Sequence, residues 1–129
     1  AALHSDIHLL GIGVRAPQDK QESMVFELAE RTAAHMGTGA TIARDTVRAN
    51  CDYVGPGYGL PTPGMVAAIK LLARTEGLLF DPVYSGKGLD GLIDQLRRGY
   101  LDGMENVVFL HTGGSAALFG YPDTFELPG

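Results

Sequence analysis

Three polar junctions, each of which follows a short apolar run, contain most of the side chains that could do chemistry. The junctions are residues 55–60 (GPGYGL), 81–87 (DPVYSGK) and 111–115 (HTGGS). Tyrosine and serine hydroxyls can both donate and accept a proton, and glycines let backbone N–H groups approach an anion. The candidate side chains are Tyr58, Tyr84, Ser85, Lys87, His111 and Thr112. Together they could form an acid–base site or a site for a small anion.

Other patterns in the chain carry weaker chemical signals. Residues 11–13 (GIG) follow an apolar run as in a dinucleotide-binding loop, but the third glycine of that motif is missing. Cys51 has no neighbouring histidine or basic cluster that would activate it, which favours an inert thiol. The histidines His4, His8 and His35 lack the spacing of metal ligands, and no HExxH, CxxC or GxSxG pattern occurs. The sequence therefore predicts neither a metal site nor a serine-hydrolase site.

Predicted strands and helices alternate along the chain and would position the three junctions. Apolar runs rich in β-forming residues predict strands at residues 7–14, 51–54, 78–80 and 106–111. Apolar residues at helical spacing predict helices at residues 18–36, 63–74, 89–98 and 116–119. Thr62 followed by Pro63 is a typical helix start. This alternation predicts an α/β fold with an open, mostly parallel sheet flanked by helices.

The predicted fold would bring the three junctions together. The carboxyl ends of parallel strands meet at one edge of a sheet, and ligands of open α/β sheets bind there, near helix N-termini. Residues 76–94, which read as strand, loop and helix, are therefore the first place to look for a site. Alternatively, the glycines are only turn residues and the tyrosines only cover the sheet. Spacing alone leaves both interpretations open.

Composition predicts one α/β unit over residues 1–129 and excludes several classes of protein. A net charge of −5 argues against a nucleic-acid partner, which needs a basic surface. No apolar run approaches the ~20 residues of a membrane helix, and no secretory signal is visible. The single cysteine excludes an internal disulfide and favours the cytoplasm. Residues 1–4 (AALH) read like the last turn of a helix, so we expect a piece of a longer chain.

Three segments resemble one family of enzymes. DYVGPGYGLPTPGM, DPVYSGKGLDGLID and VVFLHTGGSAALFGY are similar to the pyridoxal-phosphate family that joins D-cysteine desulfhydrase, 1-aminocyclopropane-1-carboxylate deaminase and cysteate sulfo-lyase. The resemblance is strong over residues 52–121 and extends back to residue 1. It implies a fold type II enzyme, similar in architecture to tryptophan synthase β chains, with pyridoxal 5'-phosphate as cofactor. It also implies a homodimer that eliminates sulfide, sulfite or ammonia from small amino acids.

The resemblance implies roles for the residues of the junctions. Tyr84 matches an active-site tyrosine of the family and Tyr58 a second one near the substrate, so each is a candidate acid–base or carboxylate-positioning group. Gly113 and Gly114 match residues that line the edge of the cofactor ring. No metal ligand is implied.

Two further residues of the junctions, Ser85 and Thr112, match positions close to the cofactor ring, and one of them is expected to hydrogen-bond the pyridine nitrogen. The deaminases of the family carry glutamate where this chain has Ser85, and commonly leucine where it has Thr112. A carboxylate would keep the ring nitrogen protonated, whereas a neutral hydroxyl leaves the ring less charged. That suffices for β-elimination of a good leaving group. The resemblance therefore favours D-cysteine desulfhydrase or cysteate sulfo-lyase activity over deaminase activity.

Part of the family pattern has no match in these residues. The lysine that binds the cofactor covalently and the glycine-rich phosphate loop belong to the N-terminal portion of the family. Lys87 does not match that lysine by position, and Lys20 and Lys70 lie in helix patterns. We therefore expect the C-terminal part of a longer enzyme, inactive by itself. The alternative is a non-catalytic α/β module that binds a small anion.

Overall fold

The computed structural model describes residues 7–125, and the predicted helix turn at residues 1–4, which contains His4, lies outside this range. In chain order, the strands and α-helices are β1 (Gly11–Ile12), α1 (Gln18–His35), β2 (Ala49–Asn50), α2 (Pro63–Glu76) and α3 (Ser85–Arg97). Short 3-10 turns occur at Arg44–Thr46, Ser115–Gly120 and Pro122–Thr124. The two strands pair in parallel, Gly11 opposite Ala49 and Ile12 opposite Asn50. The predicted α/β class, an open parallel sheet flanked by helices, is confirmed.

The sheet is smaller than the sequence predicted. The run at residues 7–14 gives only β1, and the second strand ends before residues 51–54, where the chain turns instead. The runs at residues 78–80 and 106–111 form no strand within residues 7–125. A strand needs a neighbour that supplies hydrogen-bond partners, and an apolar run does not reveal whether that neighbour exists.

Two of the predicted helices form largely as their local sequence requires. Thr62 precedes α2 as its N-cap and accepts a hydrogen bond from the Met65 N–H at 3.2 Å. Gly77 ends α2 in a left-handed conformation, two residues later than predicted. In α1 the predicted apolar stripe is largely exposed: Ala33 is the one buried residue of that helix.

The core lies between α2 and α3. Its buried residues are Met65, Ala68, Ile69, Phe80 and Leu89. The first turn of α3 approaches α2 so closely that a Cβ at Gly86 would lie 2.6 Å from the Ile69 Cδ1. Further along α3, a Cβ at Gly91 would lie 2.8 Å from the Ile12 Cδ1 of β1. Glycines thus let α3 sit tightly against both neighbours, and this contact fixes the helix that carries the 81–87 junction.

Candidate active site

Asp81 organises the 81–87 junction. Its side chain is buried, with 1% of its surface exposed. One carboxylate oxygen accepts hydrogen bonds from the N–H groups of Val83 at 2.8 Å and Tyr84 at 2.7 Å. The other accepts from the Ser85 N–H at 2.7 Å and from the Ser85 hydroxyl at 2.5 Å. The carboxylate therefore satisfies N–H groups of the turn that leads into α3 and of Ser85, its first residue, where a negative charge is favoured by the helix dipole.

The same contacts determine how Asp81 titrates. Burial by itself raises the pKa of this carboxyl group, because it penalises the charged form. The hydrogen bonds from Ser85, Tyr84 and Val83 act in the opposite direction, and together they hold the pKa below its ordinary value. Asp81 is therefore ionised throughout the neutral range.

Tyr58 and Tyr84 form a hydroxyl pair. The two phenolic oxygens are joined by a hydrogen bond, and the rings meet edge to face with their centroids 5.8 Å apart. Both side chains are about half exposed. The hydrogen bond to Tyr84, together with partial burial, raises the pKa of Tyr58, and the guanidinium of Arg15 above the ring opposes this. Tyr58 is thus protonated at neutral pH, and the exposed side of the pair is open to a ligand.

The loop that carries Tyr58 is fastened on two sides. From α3, the ammonium of Lys87 donates hydrogen bonds to the carbonyl oxygens of Val54 at 2.6 Å and Gly57 at 3.0 Å. On the other side, the Tyr121 hydroxyl donates to the carbonyl oxygen of Gly59 at 2.8 Å. Lys87 has no exposed surface, and burial lowers its pKa. Backbone contacts before and after Tyr58 therefore fix the position of its side chain.

The 111–115 junction packs against the same buried carboxylate. Gly114 has a φ of +91°, which residues with a Cβ rarely adopt, and a Cβ there would lie 3.1 Å from the Asp81 Cγ. The Ser115 hydroxyl donates to the Leu79 carbonyl oxygen at 2.5 Å, just before the 81–87 junction. The ring of His111 packs against the ring of Phe80 at a tilt of 51°, with centroids 4.3 Å apart. Asp81, which belongs to the 81–87 junction, thus also lies against the 111–115 junction. The tyrosine pair connects the 81–87 junction to the 55–60 junction.

The predicted site residues take three kinds of position. Tyr58 and Tyr84 are in direct contact, and the hydroxyl of Ser85 lies buried behind Tyr84, bonded to Asp81. Thr112 is exposed, and no atom beyond Gly113 and its two chain neighbours lies within 4 Å of the position that a Cβ of Gly113 would occupy. Lys87 is different, because its side chain points into the protein and does not face the open edge.

Sequence reasoning missed Asp81 and Tyr121. An aspartate shortly before a helix is a recognisable start signal, so the position of Asp81 ahead of α3 could have indicated its capping role. The contact between Tyr121 and the loop at Gly59 joins residues 62 positions apart and leaves no local pattern. Within residues 7–125, no helix is long and apolar enough to cross a membrane, and no group of three or more potential metal ligands occurs.

Comparison with known proteins decides the family. A family model described as "Pyridoxal-phosphate dependent enzyme" matches residues 3–113. The chain belongs to this family. The predicted resemblance is thereby confirmed, as is pyridoxal phosphate as the cofactor of the family.

Individual members of the pyridoxal-phosphate family resemble the chain over most of its length. A 1-aminocyclopropane-1-carboxylate deaminase of Methylobacterium nodulans is 40% identical over 118 residues, which are 92% of this chain and 35% of the relative. A protein of the same name from Mesorhizobium japonicum is 36% identical over 119 residues. The crystal structure of an ACC deaminase homologue superposes with a TM-score of 0.82 at 32% identity, covering 95% of this chain and 36% of that one. The chain thus spans about a third of the length of these relatives.

The described residues fit one side of the pyridoxal-phosphate ring. A flat aromatic ring needs open backbone to approach and a polar side chain for its nitrogen. Gly113 offers the open backbone, since its φ is +90° and the space where a Cβ would lie is free. The exposed Thr112 beside it offers a hydroxyl. The roles predicted for Thr112, Gly113, Gly114 and Ser85 nevertheless stay predictions.

Proposed function

We propose that the enzyme to which this chain belongs is a lyase that uses pyridoxal phosphate to eliminate the β-substituent of a small sulfur amino acid. With D-cysteine as substrate, the carbon–sulfur bond breaks, and addition of water gives pyruvate, ammonia and sulfide. The observation that supports this proposal is the hydroxyl pair of Tyr58 and Tyr84 next to a neutral residue, Ser85. The proposal rests on these groups because β-elimination needs proton transfer but no strongly charged ring.

The tyrosine pair is proposed to handle protons at the substrate. Because the pKa of Tyr58 is raised, its hydroxyl stays a hydrogen-bond donor in the neutral range. Each phenol can donate to a substrate carboxylate or transfer a proton to the leaving sulfur, and the other phenol can then replace that proton. Both rings are about half exposed, so a small amino acid can reach them. Tyr84 is assigned to the substrate together with Tyr58.

Bound pyridoxal phosphate supplies an electron sink for the electrons left at the substrate α-carbon. Two hydroxyls of this chain are candidates for the ring nitrogen. The Ser85 proton is already donated to Asp81 and the residue is 4% exposed, whereas Thr112 is exposed. This difference favours Thr112 as the donor to the nitrogen. Ser85 would then contribute no charge at the position where the deaminases carry glutamate. Gly113 and Gly114 would lie beside the ring.

A substrate comparison tests the proposal. The full-length protein with pyridoxal phosphate is offered D-cysteine, cysteate and 1-aminocyclopropane-1-carboxylate in turn, and pyruvate, sulfide, sulfite, 2-oxobutanoate and ammonia are measured. We expect pyruvate and sulfide from D-cysteine at the highest kcat/KM. Turnover of none of these substrates, by a protein with bound cofactor, would refute the assignment. The Tyr84→Phe variant is the matched control, because it removes one hydroxyl and keeps the ring.

A second activity is favoured by the names of the relatives. The proteins of 40% and 36% identity are called 1-aminocyclopropane-1-carboxylate deaminases. If the relatives share their substrate with this enzyme, 2-oxobutanoate and ammonia would form from 1-aminocyclopropane-1-carboxylate. Sulfite from cysteate would instead identify a sulfo-lyase. The same assay therefore separates the three activities by their products.

We further propose that this chain needs the remainder of the enzyme for catalysis, and that the enzyme is a cytoplasmic homodimer. The resemblance supports the homodimer, and the single cysteine agrees with a reducing compartment. For the isolated chain with pyridoxal phosphate, the expected result is no turnover, because the residues that resemble the cofactor-binding lysine and phosphate loop of the family are not among these residues. Release of product by the isolated chain would contradict the proposal. Light scattering of the full-length protein measures the oligomeric state.

A further inference from the structure

Lys87 is a buried lysine whose ammonium is bonded to backbone carbonyls. Its Nζ donates to the carbonyl oxygens of Val54 and Gly57, and none of its surface is exposed. Both ion pairs found among residues 7–125 involve arginines, so the ammonium has no carboxylate partner in this part of the chain. Burying a charge without a counter-charge is costly. Because burial of the Lys87 ammonium is costly, we look for a role of this side chain other than stabilising the fold.

The position of Lys87 connects the two halves of the tyrosine pair. Lys87 lies in the first turn of α3, where the carbonyl oxygen of Tyr84 accepts from the Gly88 N–H at 3.0 Å. Gly57, one of the two carbonyl partners, directly precedes Tyr58. One side chain therefore joins the helix that carries Tyr84 to the loop that carries Tyr58.

We propose that Lys87 is a positioning residue, whose ammonium binds residues 54–57 to α3 and so holds the Tyr58 hydroxyl against the Tyr84 hydroxyl. Its importance for catalysis rests on the function proposed above, but its effect on the tyrosine pair does not. Two carbonyl dipoles directed at one ammonium define a fixed point for the loop, which an apolar side chain of similar length would not. Displacement of reacting groups by about 1 Å can lower a rate by about a hundredfold.

The first test replaces Lys87 by methionine, which keeps much of the volume and removes the charge. The tyrosines of the full-length protein are labelled with ¹³C at Cζ, assigned with Tyr58→Phe and Tyr84→Phe, and titrated by NMR. We expect the titration midpoint of Tyr58 to fall toward the ordinary value of a phenol, and the ring-to-ring nuclear Overhauser effect between Tyr58 and Tyr84 to disappear. A folded Lys87→Met variant with both signals unchanged would overturn the proposal.

Tyr121→Phe is the matched control, because it removes the other hydrogen bond to the same loop, at Gly59. We expect this variant to change the Tyr58 titration and the ring-to-ring signal less than Lys87→Met does, because it leaves both hydrogen bonds of the ammonium in place. If Tyr121→Phe moved them as far as Lys87→Met did, the lysine would not be the positioning contact. The pair of variants thus separates a specific contact from general loosening of the loop.

A second set of variants keeps the test decisive if Lys87→Met does not fold. Lys87→Cys, in a background in which Cys51 and any cysteine of the remainder of the enzyme are replaced by alanine, is alkylated while unfolded with 2-bromoethylamine or with 3-bromopropylamine and then refolded. Both products carry the ammonium, but the second is one methylene longer than lysine. The shorter arm should restore the Tyr58 titration and the ring-to-ring signal, and the longer arm should change both. An unchanged pair with the longer arm would show that Lys87 only supports folding and would overturn the proposal.

Kinetics connect this inference to the proposed function. In the holoenzyme, the longer arm should lower kcat by about ten- to a hundredfold, since it displaces the Tyr58 hydroxyl. The NMR measurements need neither cofactor nor substrate. If the proposed activity were wrong, the assay would fail for the unmodified enzyme while the tyrosine signals would still respond to the arm length. The two failures are therefore distinguishable.

Discussion

Replacing Asp81 by asparagine should destabilise the fold by about 3 kcal/mol at neutral pH. The carboxylate accepts four hydrogen bonds, from the N–H groups of Val83, Tyr84 and Ser85 and from the Ser85 hydroxyl. Asparagine has one acceptor oxygen, so it can keep the two donors on one side only, and its NH₂ group then faces two other donors. A hydrogen bond to a charged group contributes about 1.5–3 kcal/mol. Loss of two such bonds, partly relieved by relaxation of the turn, gives the expected magnitude.

The effect of Asp81→Asn should depend on pH, and the pKa shift fixes its sign. The folded pKa of Asp81 lies below the value of the unfolded chain, which is about 3.9. The carboxylate therefore stabilises the fold fully above the unfolded pKa. This contribution is lost as the pH falls through the folded pKa, because the native group then binds a proton as well. The difference between the two proteins should thus shrink below about pH 4, as the Asp81 carboxylate becomes protonated.

Urea unfolding followed by circular dichroism measures both effects. Asp90→Asn, within α3, is the matched control, because burial and the charge of Asp94 raise the pKa of Asp90. Its ionised form is disfavoured in the fold, so Asp90→Asn should leave stability unchanged or raise it at neutral pH. If Asp81→Asn cost no more than Asp90→Asn at pH 7, the capping role assigned to Asp81 would be refuted.

Four further substitutions test the packing and the tyrosine pair. Gly86→Ala should cost about 1–3 kcal/mol in urea unfolding, since its Cβ would lie 2.6 Å from an α2 side chain, whereas Gly88→Ala, with 3.3 Å to its nearest atom, should be tolerated. Gly114→Ala should cost about 1–3 kcal/mol because of its positive φ, measured in the same way; an unchanged midpoint would contradict the observed turn. Tyr84→Phe should lower the pKa of Tyr58 in an NMR titration and lower kcat of the holoenzyme by about a hundredfold or more. An unchanged Tyr58 titration would mean that the hydroxyl pair does not form.

Local signals allowed the helices to be predicted, whereas the strands depended on information that lies elsewhere. Thr62 and Pro63 announce α2, and each acts on the backbone within one turn. Residues 78–80 carry the composition of a strand, but pairing requires a second segment at the right distance, and no local pattern encodes that. The same limit explains why the sequence predicts the second strand at residues 51–54, whereas the strand forms at Ala49–Asn50.

Site residues that match a family motif could be predicted from the sequence. Contacts between a side chain and backbone atoms far away in the sequence could not. The sequence predicts that Tyr58 and Tyr84 converge, and they do meet, although the predicted strands before their junctions do not form. The sequence does not predict the inward direction of Lys87, because its partners are carbonyl oxygens of residues 54 and 57, about thirty positions away. Asp81 is an intermediate case. Its place before α3 was visible, but its contact with Gly114 required the 111–115 junction to fold back on it.

The shared use of Asp81 has a consequence for how this region can change over evolutionary time. Its carboxylate fixes the backbone of Tyr84, binds the hydroxyl of Ser85 and lies against Gly114. A substitution at one of these positions alters the surroundings of the others, so their effects on stability should not add. In a double-mutant cycle, Asp81→Asn and Gly114→Ala should therefore show an interaction free energy of about 0.5 kcal/mol or more. A new residue at position 85 would accordingly need compensating changes around Asp81. We therefore expect substitutions at positions 81, 85 and 114 to occur together.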